Sequence, residues 1–564
     1  MKRKEMPQPA GERLRAFEGK FGRAGGGRIL VLFAFLVLLV LALAVQSAQI
    51  PSYPVKFDQA QVLSLAKEAL TGGLVPVHGI LNSLKAYNPP FFVWLYILPM
   101  AMTEDPSVQL VLPALVLHAA SMVILFLLGE RYIGPKAGLA AAAVYAFSPQ
   151  GLYFGHSSWA QGLLPSFYLL LILCLSRWLL EGKAWHAAPA LLLAAWATGI
   201  HWAGALTLGV VILLPLALRA RPKAAPLLAG AVLSLLIWAP YVGFEKGRSF
   251  SDLRALLEGP LKTPGAHELT GLCVDTKGLA RKGGVREGSG YLREIVHARW
   301  PWAYRFLRAA AGMVAAMGIN FHWAPLSPEP WAGTWREVTG FAVTTFLFLA
   351  GLVVLVRRVA MGPGKPEAFI LLGFVIPAFL QNLSPHTTLG RPDAAWLFFG
   401  PQALIVSYVV ASPRGIPWRM ARLGAALLLF LALLVNSYGE LAGVARSLKA
   451  PLHPQRRLVS WIARDAAADG KDRVSIRYDF LRDRPEWCWI VPYSLVDRAY
   501  KVGAEFDYLL GLHGIENSEK ASDGWATDPS YIVVFREGLR RYEDGGWRYE
   551  LAEFGPYAVL KVRG

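Results

Sequence analysis

Apolar residues in this chain come in long unbroken runs, the first of them ILVLFAFLVLLVLALAV at 29–45. A bilayer core requires roughly 20 consecutive apolar residues for one helical crossing. Further runs of this kind recur along the chain, including 108–129 and LLLFLALLV at 427–435. So many runs exceed what soluble domains can hold, and they predict a polytopic α-helical membrane protein. The first run follows a basic segment, as in a signal peptide, but it is longer than a signal core. No clean small-residue cleavage site precedes Gln46, so it reads as a retained first transmembrane helix.

The positions of Lys and Arg orient the helices, because cytoplasmic loops collect them. Lys2, Arg3, Lys4, Arg13, Arg15, Lys20, Arg23 and Arg28 place residues 1–28 in the cytoplasm. The stretch 89–102 is short and broken by Pro99. If it crossed, Arg131 and Lys136 would lie outside, so it is expected at the outer interface instead. With that choice, the pairs Arg177 with Lys183, Arg219 with Lys223, Arg357 with Lys365 and Arg414 with Arg422 all fall inside. The result is about eleven crossings within 29–438. It leaves two large outer loops, 49–106 and 244–336, the second holding a short apolar stretch at 308–317.

After a last helix expected at about 423–437, composition changes, and 439–564 reads as an extracytoplasmic α/β domain. RRLVSWIARDAAADG has the helical period, and RVSIRYDF, SYIVVF, WRYELAEF and YAVLKV read as strands separated by turn residues. The net charge of +18 would suggest nucleic acid in a soluble protein. Here the cations sit in short loops beside apolar runs, where membrane orientation accounts for them, so no nucleic-acid partner is expected. Three cysteines, Cys174, Cys273 and Cys488, are too few for a disulfide framework or a zinc site. Cys273 and Cys488 both fall outside the membrane, which permits a bond between them without demanding one.

In the first outer loop, Asp58 opens a helical pattern whose apolar face is Ala60, Leu63, Leu65, Ala66 and Leu70. Asp in that place is a natural helix cap. A carboxylate held at the membrane edge is equally placed to act as a general base.

Three pieces of the chain carry a family likeness: FDQAQVLSLAKEALTGG with YNPPFFVWLYILPM, then LGERYIGPKAGLAAAAVYAFSP. In order and content they resemble the protein O-mannosyltransferases and their bacterial relatives, GT-C glycosyltransferases of the glycosyltransferase 39 type. The likeness extends weakly through YFGHSSWAQGLLPSFYLLL and GIHWAGALTLGVVILL to about residue 410 and leaves out the tail. It implies a GT-C membrane domain, a polyprenyl-phosphate sugar donor, and a glycan, lipid or protein acceptor reached from outside. It also implies that Asp58 is the catalytic acid. Many members carry a second acid directly after it, where this chain has Gln59, a departure that bears on metal use. No WWDYG-like motif is present, which argues against an oligosaccharyltransferase of the asparagine-linked kind.

A lipid phosphate needs cationic partners near the outer interface. Lys85, before the YNPP segment, and Arg391, in the loop SPHTTLGRPDAAWLFFGP, are the candidates, although both residue types also snorkel at interfaces. Asn88 of YNPP, His156, Trp159 and Gln161 between two helices, and His201 at a later outer turn are candidate substrate contacts. Against this stands the common role of lone His and Trp as packing or interface anchors. His78, His156, His201, His322 and His386 fall on the outer side, but no ligand-spaced pair is present, so no metal and no cofactor is expected.

The expectation is therefore an inverting glycosyltransferase of the cytoplasmic membrane. A catalytically inactive scaffold that binds glycolipid or a partner, or a lipid or sugar transporter, is the alternative. Spans nearly free of acids and bases weigh against a transporter, whose coupling ions need them.

Overall fold

The computed structural model describes residues 25–55, 57–81, 86–148, 151–152, 155–254, 335–362, 364–383, 399–411, 419–449, 453–478, 504–517, 529–536, 539, 542, 549–555 and 557–562. Cys273 and Cys488, between which a bond was permitted, the apolar stretch 308–317, and most of the loop 244–336 lie outside them. So do Lys85, Arg391, His322 and His386.

Thirteen described helices precede the tail: α1 (Gly25–Ser47), α2 (Phe57–Gly72), α3 (Phe91–Met102), α4 (Pro106–Tyr132), α5 (Pro135–Phe147), α6 (Ala160–Leu179), α7 (Ala187–Ile200), α8 (Leu206–Ala217), α9 (Ala224–Gly247), α10 (Trp335–Met361), α11 (Lys365–Leu383), α12 (Phe399–Ala411) and α13 (Arg419–Lys449). Among the described residues, five helices are long and apolar enough to cross a membrane: α1, α4, α6, α9 and α10. The chain is a multi-pass membrane protein. At 1.5 Å per residue, the 12 residues of α3 reach about 18 Å, well short of a core about 30 Å thick. That length suits the interfacial placement expected for 89–102. The helix α8 is equally short, so its expected crossing rests on its flanking cations rather than on its length.

Lipid tails are as apolar as leucine, so helices in a bilayer associate by close packing rather than by hydrophobic burial. The turn between α4 and α5 shows how this sequence does it. Gly129 and Gly138 let the two backbones meet where any Cβ would collide with Phe126 O and the Gly138 backbone. Ala137, Ala141 and Ala142 continue the buried small-residue face of α5. At this basic end of the bundle, Arg28 pairs with Glu130 at 2.8 Å, and Glu181 gathers Arg131, Arg177 and Lys183 within 3.2 Å. Burial opposes ionisation of Glu181. The hydrogen bonds from Tyr132, Arg177 and Lys183 and the charge of Arg131 outweigh it, holding the carboxyl below its ordinary range.

The helix expected to stop at about 437 continues to Lys449. GELAGVARSLK contains no proline, and the first breaker comes at Pro451. The tail follows as α14 (Pro454–Ala468), β1 (Arg473–Val474), β2 (Ile476–Tyr478), α15 (Ala504–Leu512), β3 (Glu516–Asn517), β4 (Tyr531–Phe535), β5 (Tyr549–Phe554) and β6 (Tyr557–Val562). β2, β4, β6 and β5 form one sheet in that order, with β2 parallel to β4 and the remaining pairs antiparallel. β1 pairs with β3 apart from it. The β5–β6 turn uses Gly555 at φ 63°, a left-handed conformation that glycine adopts without strain.

Side chains alternate across a strand. In β4, Tyr531 and Val533 therefore join the core shared with α14 and the membrane helices, while Ile532 and Val534 pack with Leu539, Tyr542 and Leu560 on the opposite face. Asp465 of α14 is held by Lys561 at 2.8 Å and by the Tyr531 hydroxyl at 2.6 Å. Burial works against its ionisation, but these two hydrogen bonds prevail and hold the carboxyl below the usual range.

Candidate functional site

The end of the bundle opposite the basic loops gathers the end of α1, the start of α2, the loop 155–159 and the first turn of the tail. Asp58 lies in the first turn of α2 and is exposed. A carboxylate there is favoured by the helix N-terminus. The next residue faces the other way. Gln59 is 5% exposed, and its Nε2 donates to Tyr53 Oη at 2.9 Å and to Ser158 Oγ at 2.5 Å. The two hydroxyls lie 3.2 Å apart, and the Ser158 backbone N–H also donates to Tyr53 Oη. This knot ties α2 to the 155–159 loop directly behind Asp58.

The face of α2 that packs inward carries Ala60, Val62, Leu63 and Ala66. Leu65 is half-buried and Leu70 is 42% exposed. The buried stripe thus includes Val62 and leaves out Leu70.

His156 is buried, with Nδ1 2.8 Å from Gln46 Oε1. The Gln46 amide is oriented by its own bond to Gly151 O at 3.0 Å, so Oε1 must accept and His156 Nδ1 must carry the proton. Its Nε2 is then a proton acceptor. Gly155 fits against the Gln46 amide where a Cβ would overlap it. Trp159 stands at the N-cap of α6, half-buried.

Two turns of chain that are 40 residues apart meet at Gln161 and His201, whose amide and Nε2 lie 3.0 Å apart. His201 Nδ1 accepts from Ala203 N at 3.1 Å, so in the neutral ring Nε2 bears the proton. The Gln161 oxygen must therefore face it, and the Gln161 NH₂ occupies the other, buried position, which has no partner among the described residues. Trp202 Nε1 and Trp196 Nε1 are likewise buried and unpartnered among the described residues.

Asn88 is 9% exposed and serves its hairpin: its N–H donates to Ile80 O, and its carbonyl accepts from Gly79 N. Beside it, Arg248 lies over the rings of Tyr87 and Phe244 at 4.8 and 5.0 Å. Its charge is met by Glu245 at 3.3 Å and Asp252 at 2.8 Å. The structure thus ties Gln59, the neighbour of Asp58, to Tyr53 and Ser158, sets Tyr53 beside His156, and brings together Gln161 with His201. Lys85 and Arg391, expected on the donor phosphate, lie outside the described residues. Gln46, Tyr53, Gln59 and Ser158 were not foreseen as site residues. Only Gln46, a polar side chain in the last turn of a spanning helix, offered a signal. Among the described residues, no group of three His, Cys, Asp or Glu side chains comes together as a metal site.

Residues 87–244 match the family model for dolichyl-phosphate-mannose-protein mannosyltransferase. The fold superposes on ArnT from Cupriavidus metallidurans bound to undecaprenyl phosphate with a TM-score of 0.53, at 13% identity, over 95% of this chain and 98% of that one. The chain shares the fold of that membrane protein. The superposition takes in the tail of the chain, whereas the family match begins at Tyr87 and leaves out Asp58. An oligosaccharyltransferase from Archaeoglobus fulgidus gives a TM-score of 0.45 at 13% identity, over 89% of this chain and 69% of that one. No curated protein is significantly similar to this chain in sequence.

Proposed function

We propose that this transferase moves a sugar from a polyprenyl-phosphate donor to a hydroxyl acceptor on the outer face of the cytoplasmic membrane, with Asp58 as the general base. The observation that carries the reading is the split between Asp58 and Gln59. The carboxylate stands exposed at the first turn of α2, and its neighbour is locked inward on Tyr53 and Ser158. The similarity in fold to a protein bound to undecaprenyl phosphate supports a lipid-phosphate donor. The basic end, with Arg131, Arg177, Lys183, Arg219 and Lys223, supports a cytoplasmic placement for that side and an outer placement for Asp58 and the tail.

In the reaction, Asp58 takes the acceptor's hydroxyl proton as that oxygen attacks the anomeric carbon. The bond from that carbon to the phosphate oxygen breaks, and polyprenyl phosphate leaves with the electron pair. The configuration inverts. A phosphate leaves without protonation by a strong acid, so a single carboxylate suffices. Arg391 and Lys85 are the proposed phosphate partners, and the Gln161 amide and His201 the proposed sugar contacts. His156, Trp159 and Asn88 act by shaping the loops around them.

Gln59 favours this reading over an inactive scaffold. In its buried place the amide is a structural donor, so its departure from the family's second acid leaves the exposed carboxylate untouched. Asp58→Asn tests the proposal: the variant should reach the membrane in normal amount, bind undecaprenyl phosphate, and fail to transfer sugar.

A further inference from the structure

The strap between α1 and α2 is held from the tail. Gln455, in the first turn of α14, is 2% exposed, and its Nε2 donates to Val55 O at 3.0 Å. Its neighbour Arg456 sets both terminal nitrogens on the Asp105 carboxylate at 3.3 Å and one of them on Ser107 Oγ at 3.4 Å. Ser107 is fully buried and donates in turn to Tyr53 O at 3.2 Å. Two adjacent tail residues thus control the carbonyls of Tyr53 and Val55, one directly and one through Ser107. The Tyr53 side chain is the acceptor of Gln59. Asp105 has a second duty, capping α4 through Ser107 N at 2.8 Å, so the Arg456 contact lands on a rigid helix end. From α15, buried Phe506 joins the same core, and Tyr508 Oη reaches Gln109 at 3.5 Å.

We propose that Gln455 and Arg456 are positioning residues for Asp58, clamping the strap 53–55 so that docking of the tail sets where the carboxylate stands against the 155–159 loop. The proposal rests on the reading of Asp58 as the base. An α/β domain that only decorated the membrane domain would need no buried glutamine aimed at a strap carbonyl. A paired arginine–carboxylate contact adds directional control that a single point charge lacks.

Hydrogen exchange on the full-length protein in detergent tests the clamp without using turnover. Arg456→Ala and Gln455→Glu should each speed exchange about tenfold in the amides of 53–62 while leaving β4 and β6 unchanged. Arg456→Lys should restore part of the protection, and undecaprenyl phosphate should bind all three variants as it binds the parent. Combining Arg456→Ala with Asp105→Asn, which keeps the helix cap, should add nothing further. Exchange that rises only within α14, with the strap still protected, would overturn the clamp. If the strap loosens as expected while Asp58→Asn still transfers sugar, the clamp stands and the base reading alone falls.

Discussion

Gln59 Nε2 donates to Tyr53 Oη across 2.9 Å while Asp58, one residue earlier, remains exposed. A one-residue step on a helix turns the side chain by about 100°, so a single turn of α2 presents one polar group to the interior and one to the aqueous side. That division separates support from chemistry in the proposed site.

Placing the family's more usual acid at the second position should therefore weaken the protein rather than sharpen its activity. In Gln59→Glu the carboxyl would be buried where the amide now donates, and burial raises a carboxyl's pKa. With the folded value above the unfolded one, the loss of stability is absent at low pH and grows as pH rises past about 4.3, where the unfolded chain ionises. Melting of the full-length variant should match the parent near pH 4 and fall behind it at pH 7. Equal melting at both values would count against the buried knot.

A histidine in the tail has the opposite pH dependence. His453 caps α14 through its Nδ1, which accepts from Gln455 N at 3.3 Å. Burial, with a smaller push from the charge of Arg457, lowers the His453 pKa to about 4. The unfolded chain takes up the proton first, so the neutral ring's contribution is full above about 6.5 and is lost as pH falls toward 4. The loss is at most about 3 kcal/mol. Asn also caps helices but does not titrate. His453→Asn should therefore flatten the melting curve between pH 6.5 and 4.5, a window above the range in which Asp465 titrates. An unchanged slope in the variant would refute the assignment.

Much of this architecture was legible in the sequence. The alternation in SYIVVF gave β4 its two buried faces, Tyr531 and Val533 on one and Ile532 and Val534 on the other. The short apolar stretch containing Pro99 reads as a helix too short to cross, and α3 has that length. Contacts between residues far apart in the chain were not legible. His156 meets Gln46 across 110 positions, and Gln455 meets Val55 across 400. No local period records such pairs, and each depends on how whole helices pack. The end of α13 was missed for a different reason: the change in composition after Asn436 marks departure from the apolar run, while the helix itself needs only residues that tolerate helical geometry and runs on to Lys449.

Orientation can be read by labelling. In a background without native cysteines, Lys136→Cys and Arg221→Cys, both exposed at the basic end, should resist an impermeant thiol reagent added outside. Lys67→Cys, exposed on α2, should react. Asn88 is unsuitable as an outer reporter because it is only 9% exposed. Labelling at position 136 from outside would reverse the bundle and place Asp58 on the cytoplasmic side.

Asp58→Asn separates chemistry from structure in one substitution. Asn keeps the size of the side chain and its ability to accept from helix N–H groups, so a purely structural Asp58 would lose little: even a full cap is worth about 1 kcal/mol, and Asn restores most of it. As a general base, however, the amide cannot take the acceptor's proton. The rate of sugar transfer should then fall by roughly 10²–10⁴-fold, with membrane abundance and undecaprenyl phosphate binding unchanged. Because Gln59, Tyr53 and Ser158 still hold the start of α2 in the variant, its melting temperature should stay within a few degrees of the parent's. A variant that melts normally and transfers sugar at a near-normal rate would make Asp58 a helix-end residue and leave the proposed reaction without its base.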